Sequence, residues 1–545
     1  MCGIFGLLDD INNNDNNAVI EENFNTIKHR GPEFSHLQKY KNIVLGFHRL
    51  AINGLDNESN QPIVENNCYL VCNGEIYNYQ TIIKKFNLSM KTNSDCEVIL
   101  QLYIKFGIMT TLKLLDGVFA FALYDSNLNK LFIARDRFGV RPLFITNLEL
   151  IKYNRFYFAS EAKALVNLNN NDTISQFTPG TYLEINMDLN NSFAVSYNVK
   201  SYYELNTNRD ILNKFSYNEN MEKYLPIYES FVNAIVKRIN NTERPIACLL
   251  SGGLDSSLVS YISAKYLYEQ KNKQILNTYS IGFEDSVDVF YANEIAKNIN
   301  SNHNIITVTN EEMVMSIPEV IKQIESYDTT TVRASVPNYL VGKYIKNNTD
   351  FKVILGGDGA DELMGGYLYL HKSPTPYDFD DEVISLLKNI HYFDGKRADR
   401  CMAGFGLEIR LPFLDNIFVD TYLSYNLNDR YLYNNGKEKN LIRKIIEYYE
   451  PDFPKSVLYR RKEAFSDGVN ATHESWFKNI KQYLNKSTIE LIDSKTEENG
   501  LTFEQNYYKY IFDSYYPNQD KLIPKYWMPK YTSSTDASAK TLEIY

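Results

Sequence analysis

Two patterns of apolar and polar positions divide the chain. Through the first two hundred residues, short apolar runs alternate with polar turns, as half-buried antiparallel strands do. Val118 to Tyr124 and Leu131 to Arg135 flank the polar turn Ser126 to Asn129, and alternating runs at Arg155 to Ala159 and Gly180 to Ile185 extend the series. From Tyr203 to Lys223 the pattern is polar and irregular, so a boundary is expected near residue 205. Beyond it, helical periodicity alternates with apolar runs. Helices are expected at Tyr224 to Ile239, through Leu258, Ile262 and Leu267, and at Phe290 to Ile299; strands are expected at Ile246 to Leu250, Thr278 to Phe283 and Asn304 to Thr309. This alternation predicts a parallel sheet with ligands at the carboxyl ends of its strands. The expected units are residues 2–205, residues 206–525 and a mobile tail, 526–545, without charge cluster or catalytic spacing.

A chain of 545 residues has ample material for two large units. Its 57 Lys+Arg against 67 Asp+Glu leave a net charge of −10, which argues against nucleic-acid partners and for small-molecule ones. The six cysteines, Cys2, Cys68, Cys72, Cys96, Cys248 and Cys401, include no Cys-x-x-Cys pair, so a reducing, cytoplasmic setting fits. No stretch approaches the ~18 apolar residues of a membrane span, and MCGIFGLLDD lacks the basic flank of a targeting segment. The runs Ile11 to Asn17 and Asn167 to Asp172 read as polar loop insertions.

Candidate chemistry begins at LSGGLDSS, Leu250 to Ser257, where an apolar strand meets a helix through a Gly-rich turn. Gly252 and Gly253 let the backbone close on a ligand, while Ser251, Ser256, Ser257 and the helix N–H groups offer donors to an anion. A Walker-type loop would end in Gly-Lys-Ser/Thr. Here Asp255 stands instead, and a carboxylate beside phosphates implies a bridging Mg2+. The stretch resembles the pyrophosphate loop of the N-type ATP pyrophosphatases, which cleave ATP between its α- and β-phosphates and adenylate a substrate. That resemblance implies ATP contacts from Leu250, Ser251, Gly252, Gly253, Asp255, Ser256 and Ile281, and from Gly356 and Gly357 in a second loop.

Cys2 follows the initiator methionine directly, so removal of Met1 would place a thiol and a free α-amine on one residue. The amine could serve as base for its own thiol without a histidine, and none of His29, His36 or His48 is needed for that role. HRGPE (His29 to Glu33), HRLAI (His48 to Ile52), CNGEIYN (Cys72 to Asn78), SDCE (Ser94 to Glu97), DGVFAFALYD (Asp116 to Asp125) and RDRFGVRPLF (Arg135 to Phe144) follow in order. Together with MCGIFG they resemble the class II glutamine amidotransferase domain, an αββα Ntn-hydrolase sandwich that releases ammonia from glutamine. The resemblance implies Cys2 as nucleophile and Asn73 with Gly74 as oxyanion donors. It also implies Arg49 for the glutamine carboxylate, Glu75 and Asp95 for its ammonium, and the backbone of Arg49, Leu50, Ala51, Ile52 and Asn53 as pocket wall.

In the second half, ESYDTTTVRASVPNYL (Glu325 to Leu340), KVILGGDGADELMGGY (Lys352 to Tyr367), GLEIRLPFLD (Gly406 to Asp415) and YRRKEAFSDGV (Tyr459 to Val469) resemble segments of the asparagine synthetase family. The resemblance spans the chain and implies an α/β ATP-pyrophosphatase domain behind the sandwich. It pairs Asp361 with Asp255 around metal-bound pyrophosphate and makes Lys462 the cation of the adenylation transition state. The family loop usually reads Ser-Gly-Glu-Gly-Ser-Asp-Glu, whereas Gly356 to Glu362 reads GGDGADE. Asp358 therefore stands where the family uses a Glu in forming β-aspartyl-AMP, and shifted ATP or aspartate kinetics are expected. The implied reaction is asparagine synthesis from aspartate, ATP and glutamine, in a homodimer. Amidation of another carboxylate, a silent binding protein and a transfer-RNA-modifying ATP pyrophosphatase are the alternatives.

Overall fold

The computed structural model describes residues 1–9, 16–168, 173–188, 193–210, 220–431, 437–461 and 476–533. Among these residues three sheets form. The first places the strand Gly3–Asp9 between Ile43–Arg49 and Arg155–Ala159, with Phe34–Tyr40 at one edge and Phe144–Ile145 and Ser175–Gln176 at the other. The second runs Ala194–Ser201, Thr181–Met187, Lys130–Arg135, Gly117–Asp125, Cys68–Ile76, Ile63–Glu65. Neighbouring strands in both are antiparallel.

Strand alternation is strong here because the two faces meet different partners. On Gly117–Asp125, Ala120, Ala122 and Tyr124 enter the core between the sheets, whereas Phe119, Phe121 and Leu123 enter a second core with the helices Tyr79–Phe86 and Glu97–Phe106. On Gly3–Asp9, Ile4 and Leu8 point between the sheets, and Phe5 and Leu7 point out to Ile20 and Phe24 of the helix Asn16–Asn25. This is the αββα layering expected. Gly6 allows the inner packing, since a Cβ there would lie 2.3 Å from the Phe158 ring. One expectation changes: Asn16 and Asn17, read as loop, open a helix whose Ile20 and Phe24 bury, so the apolar face overrides the polar start.

The third sheet is parallel and orders Asn302–Thr307, Asn277–Gly282, Ile246–Leu249, Val353–Leu355, Glu408–Arg410. Helices Leu225–Asn240, Leu254–Gln270, Val287–Asn298 and Thr329–Asn348 accompany it, giving the α/β architecture expected for the second half. Ile246–Leu249 and Val353–Leu355 are neighbours, so the loops after them, Leu250 to Gly253 and Gly356 to Gly359, leave the same edge side by side. The sheet order reverses there, where open α/β sheets place ligands.

Buried charge joins the halves. Arg30 bonds to Glu161 (2.7 Å) and to Asp399 (2.8 Å), and Arg400 pairs with Glu325 at 3.1 Å. Glu325 also accepts from the Ala162 and Lys163 amides. Residues 526–533 lie on the second half: the Trp527 amide donates to Asp328 (2.7 Å) and the Lys530 ammonium stands 3.3 Å from Glu382.

Candidate active sites

The first site gathers at the ends of the two antiparallel sheets. Cys2 immediately precedes the central strand of one sheet, and Asn73, Gly74 and Glu75 lie on the strand Cys68–Ile76 of the other. The Cys2 thiol is partly accessible and donates to the Leu50 carbonyl at 3.6 Å. Its dense surroundings push its pKa up to about 11, while the Met1 α-amine pulls the other way. Burial lowers that amine to about 6. Asn73 is fully buried, and among the described residues neither its side-chain oxygen nor its nitrogen has a hydrogen-bond partner. A buried amide left unpaired costs about 1–3 kcal/mol, which suits a group reserved for a ligand. Gly74 allows a close strand approach, because a Cβ there would lie 2.7 Å from the Val118 carbonyl.

The stretch expected to wall the glutamine pocket, Arg49 to Asn53, is fastened to its surroundings. Arg49 donates to the Asp56 carbonyl and Asn60 Oδ1, both at 2.7 Å, and to the Gly54 carbonyl. Its Nε makes no hydrogen bond among the described residues. The Ala51 amide donates to Glu33 (2.6 Å), and the Ala51 and Ile52 carbonyls accept from Arg244 Nε and the Glu243 amide. Leu50 and Ile52 pack into the core. The Asn53 amide nitrogen reaches Glu75 Oε2 at 2.9 Å.

Glu75 and Asp95 converge on one donor. Asn241 Nδ2 stands 2.8 Å from Glu75 Oε2 and 3.5 Å from Asp95 Oδ2, which also accepts the Ile76 amide. Arg410 Nη2 lies 2.9 Å from Glu75 Oε2. Burial, with Glu408 and Asp95 nearby, raises the Glu75 pKa well above the usual carboxylate range, and burial brings Asp95 to about 6. Asn241 and Arg410 were not foreseen from the sequence. Both come from the second half, and nothing local marks them. The histidines are otherwise engaged: His48 bonds to Ser35 and the Phe24 carbonyl, His29 to Glu161, and His36 to Gln38.

The second site is the cleft at the reversal of the parallel sheet. Leu250, Ser251, Gly253, Asp255, Ser256, Ile281, Gly356, Gly357, Asp358 and Asp361 all line it. Gly252 shapes the turn from behind with φ +77, and a Cβ there would lie 2.5 Å from the Ala292 amide. Ser256 Oγ accepts from the Ser251 amide and lies 2.9 Å from Ser251 Oγ, which closes the loop into a cup. Gly357 fits beneath it, because a Cβ there would lie 2.7 Å from the Ser256 amide nitrogen.

Asp255 and Asp361 meet at one point, the ammonium of Lys439. Its Nζ lies 2.7 and 2.6 Å from the two Asp255 oxygens and 2.6 Å from Asp361 Oδ1. The sequence places Lys439 only in a charged run, KEKN, without a motif. Asp358 faces Arg397 Nη2 at 2.7 Å, and that guanidinium also holds Asp394. Burial raises the Asp358 pKa against the pull of Arg397. Arg460 pairs with Asp288 at 2.5 Å and stacks on Tyr291. Lys462 lies outside the described residues.

Residues 1–202 match the family model described as glutamine amidotransferase domain, and residues 227–379 and 372–527 match the one described as asparagine synthase. Curated relatives from Rattus norvegicus and Homo sapiens, each named asparagine synthetase (glutamine-hydrolyzing), are 40% identical over 574 residues, with 100% of this chain and 99% of the relative covered. A solved glutamine phosphoribosylpyrophosphate amidotransferase from B. subtilis overlaps 56% of this chain and 81% of its own at 15% identity and a TM-score of 0.31, too slight a likeness to argue from. End-to-end identity with these relatives, and both models in order along one chain, mean that the chain belongs to the glutamine-hydrolysing asparagine synthetase family.

Proposed function

We infer that the two sites run one reaction: ATP, aspartate, glutamine and water give AMP, diphosphate, asparagine and glutamate. The observation that carries this reading is the pairing in one fold of an orphaned, buried amide at Asn73 with a cleft whose carboxylates Asp255 and Asp361 converge on a single cation.

In the first site, removal of Met1 frees the Cys2 α-amine to take the proton of a thiol that burial otherwise keeps protonated. The thiolate attacks the glutamine side-chain carbonyl. Asn73 Nδ2 and the Gly74 N–H receive the oxyanion, ammonia leaves, and water hydrolyses the thioester to glutamate. Arg49 takes the glutamine carboxylate, Glu75 and Asp95 its ammonium, and the backbone of Leu50 to Asn53 forms the wall.

In the second site, the aspartate β-carboxylate attacks the α-phosphorus of ATP and pyrophosphate leaves; ammonia then displaces AMP from β-aspartyl-AMP. The Leu250 to Ser256 loop, Ile281, Gly356 and Gly357 seat the nucleotide, and Asp358 and Lys462 serve the adenylation. The donor set fits Mg2+: Asp255 and Asp361 offer carboxylate oxygens, and magnesium is usually held by one or two carboxylates plus substrate phosphates. Bound there it would neutralise charge on the departing pyrophosphate. Ammonia in water would be protonated and lost as a nucleophile, so a shielded passage between the sites is part of the reading. So are residues 2–205 and 206–525 as the two units, a homodimer, a cytoplasmic setting and no nucleic-acid or membrane partner; among the described residues no helix is long and apolar enough to cross a membrane.

Product analysis with ATP, magnesium and aspartate tests this, with glutamine in one tube and ammonium in another. Asparagine, AMP and pyrophosphate are expected from both. Glutamate without asparagine would overturn the aspartate assignment or show that Asp358 silences its loop, and Asp358→Glu separates those cases.

A further inference from the structure

Arg410 is at once a strand residue of the nucleotide sheet and a neighbour of the glutamine pocket. It ends the edge strand Glu408–Arg410, and its carbonyl accepts the Gly356 amide (3.0 Å) where the second loop begins. Its buried side chain points the other way. Nε donates to Glu408 (2.8 Å), and Nη1 donates to the Arg238 and Asn241 carbonyls at 2.6 and 2.9 Å, closing the end of the helix Leu225–Asn240. Nη2 lies 2.9 Å from Glu75 Oε2 without aligning an N–H for a hydrogen bond.

The contacts on the two pocket carboxylates are one-sided. Asn53, Asn241 and Arg410 all address Oε2 of Glu75, and the Ile76 amide and Asn241 both address Oδ2 of Asp95. Glu75 Oε1 and Asp95 Oδ1 make no hydrogen bond among the described residues. Each carboxylate is thus pinned by one oxygen and keeps the other. Glu75, Asp95 and Glu408 share this buried region with the guanidinium groups of Arg410 and Arg141, the latter 3.1 Å from Glu408, and with the α-amine at the start of the chain.

We propose that the glutamine site is composite: Arg410 and Asn241 of the second half are positioning residues that hold Glu75 and Asp95 with one oxygen each turned toward the ammonium of glutamine. This rests on the assignment of Glu75 and Asp95 to that ammonium. The synthetase half thereby sets the preference of the glutaminase half for an α-amino acid amide. Neither residue touches the reacting amide.

The test compares, in the full chain, hydrolysis of glutamine with that of 4-carbamoylbutanoate, which keeps the amide and carboxylate but lacks the ammonium. In Arg410→Met and Asn241→Ala, kcat/KM for glutamine should fall roughly 10- to 100-fold, mostly through KM, while the value for 4-carbamoylbutanoate changes less than about twofold. Arg410→Lys should recover part of the glutamine preference. Equal losses on both substrates, or no loss on either, would overturn the proposal. If Arg410→Met disturbs folding, Asn241→Ala alone carries the same comparison. Glu75→Gln reads the underlying assignment separately: a variant that still prefers glutamine by the wild-type factor removes Glu75 from the ammonium site, whatever Arg410 does.

Discussion

The two sites solve opposite electrostatic problems. In the glutaminase half the reacting group of the substrate is a neutral amide, and Asn73, the group proposed to meet it, is buried and makes no side-chain hydrogen bond among the described residues. In the synthetase half ATP brings phosphates, and the cleft is already internally neutralised, with Lys439 between Asp255 and Asp361 and Arg397 between Asp358 and Asp394. A lone unsatisfied amide costs a few kcal/mol at most, so a fold can tolerate it. An unpaired buried carboxylate costs more, so the second cleft carries counter-ions that its ligands must displace or join.

The sharpest break in that comparison comes from Cys2→Ala. Glutamine hydrolysis should fall by more than about 10⁴-fold while ammonium-dependent synthesis persists, as coupled glutamate and asparagine assays would show. Next is Asn73→Ala. Loss of one oxyanion donor should lower glutaminase kcat on the order of 10²–10³-fold with a smaller change in KM, and the ammonium-dependent rate should stay within about twofold.

Stability sharpens the contrast further. Asp95 titrates in the folded protein at about 6, above the usual carboxylate range. The native state therefore holds more protons than the unfolded chain between roughly pH 4 and 6. The contribution of Asp95 to stability is greatest below that window and falls as pH rises through it. At about 1.4 kcal/mol per pH unit, the deficit at neutral pH is on the order of 3 kcal/mol. Asp95→Asn should then raise stability at pH 7 by up to about that amount in urea melts, flatten the profile between pH 4 and 6, and weaken glutamine binding. Lys439→Met should do the reverse in the other cleft. It leaves two carboxylates facing each other and should cost about 2 kcal/mol, since both remain partly exposed to water. Added magnesium should return part of the loss in thermal melts; a loss that magnesium does not touch would remove Lys439 from the cation position.

The elements were legible where two different neighbours enforce a period. Gly117–Asp125 reads as a strand because alternate residues enter two separate cores, and Asn277–Gly282 reads as one because its helical flanks contrast with it. The polar start of the helix Asn16–Asn25 hid it, because its apolar contacts come only from Ile20 and Phe24 further along. Loop residues such as Ser251 and Asp361 could be read because nucleotide chemistry needs those types at close spacing. Lys439, Arg397, Asn241 and Arg410 could not. Their roles arise from distances across the fold: Lys439 meets Asp255 from 184 positions away, and Asn241 meets Glu75 from 166. Arg410 lay inside a stretch recognised by resemblance, yet its reach to Glu75 depends on how the halves dock.

The central claim is that one chain holds two separable sites, a neutral-amide site at Cys2 and Asn73 and a charge-compensated site at Asp358 and Asp361. The most direct measurement puts Cys2→Ala and Asp358→Asn side by side, scoring glutamate formed from glutamine and asparagine formed from ammonium. The predicted result is a crossing pattern in which Cys2→Ala loses glutamate and keeps asparagine, while Asp358→Asn keeps glutamate and loses asparagine by roughly 10²-fold. Two variants that each lose both products, with folding intact by circular dichroism, would contradict it.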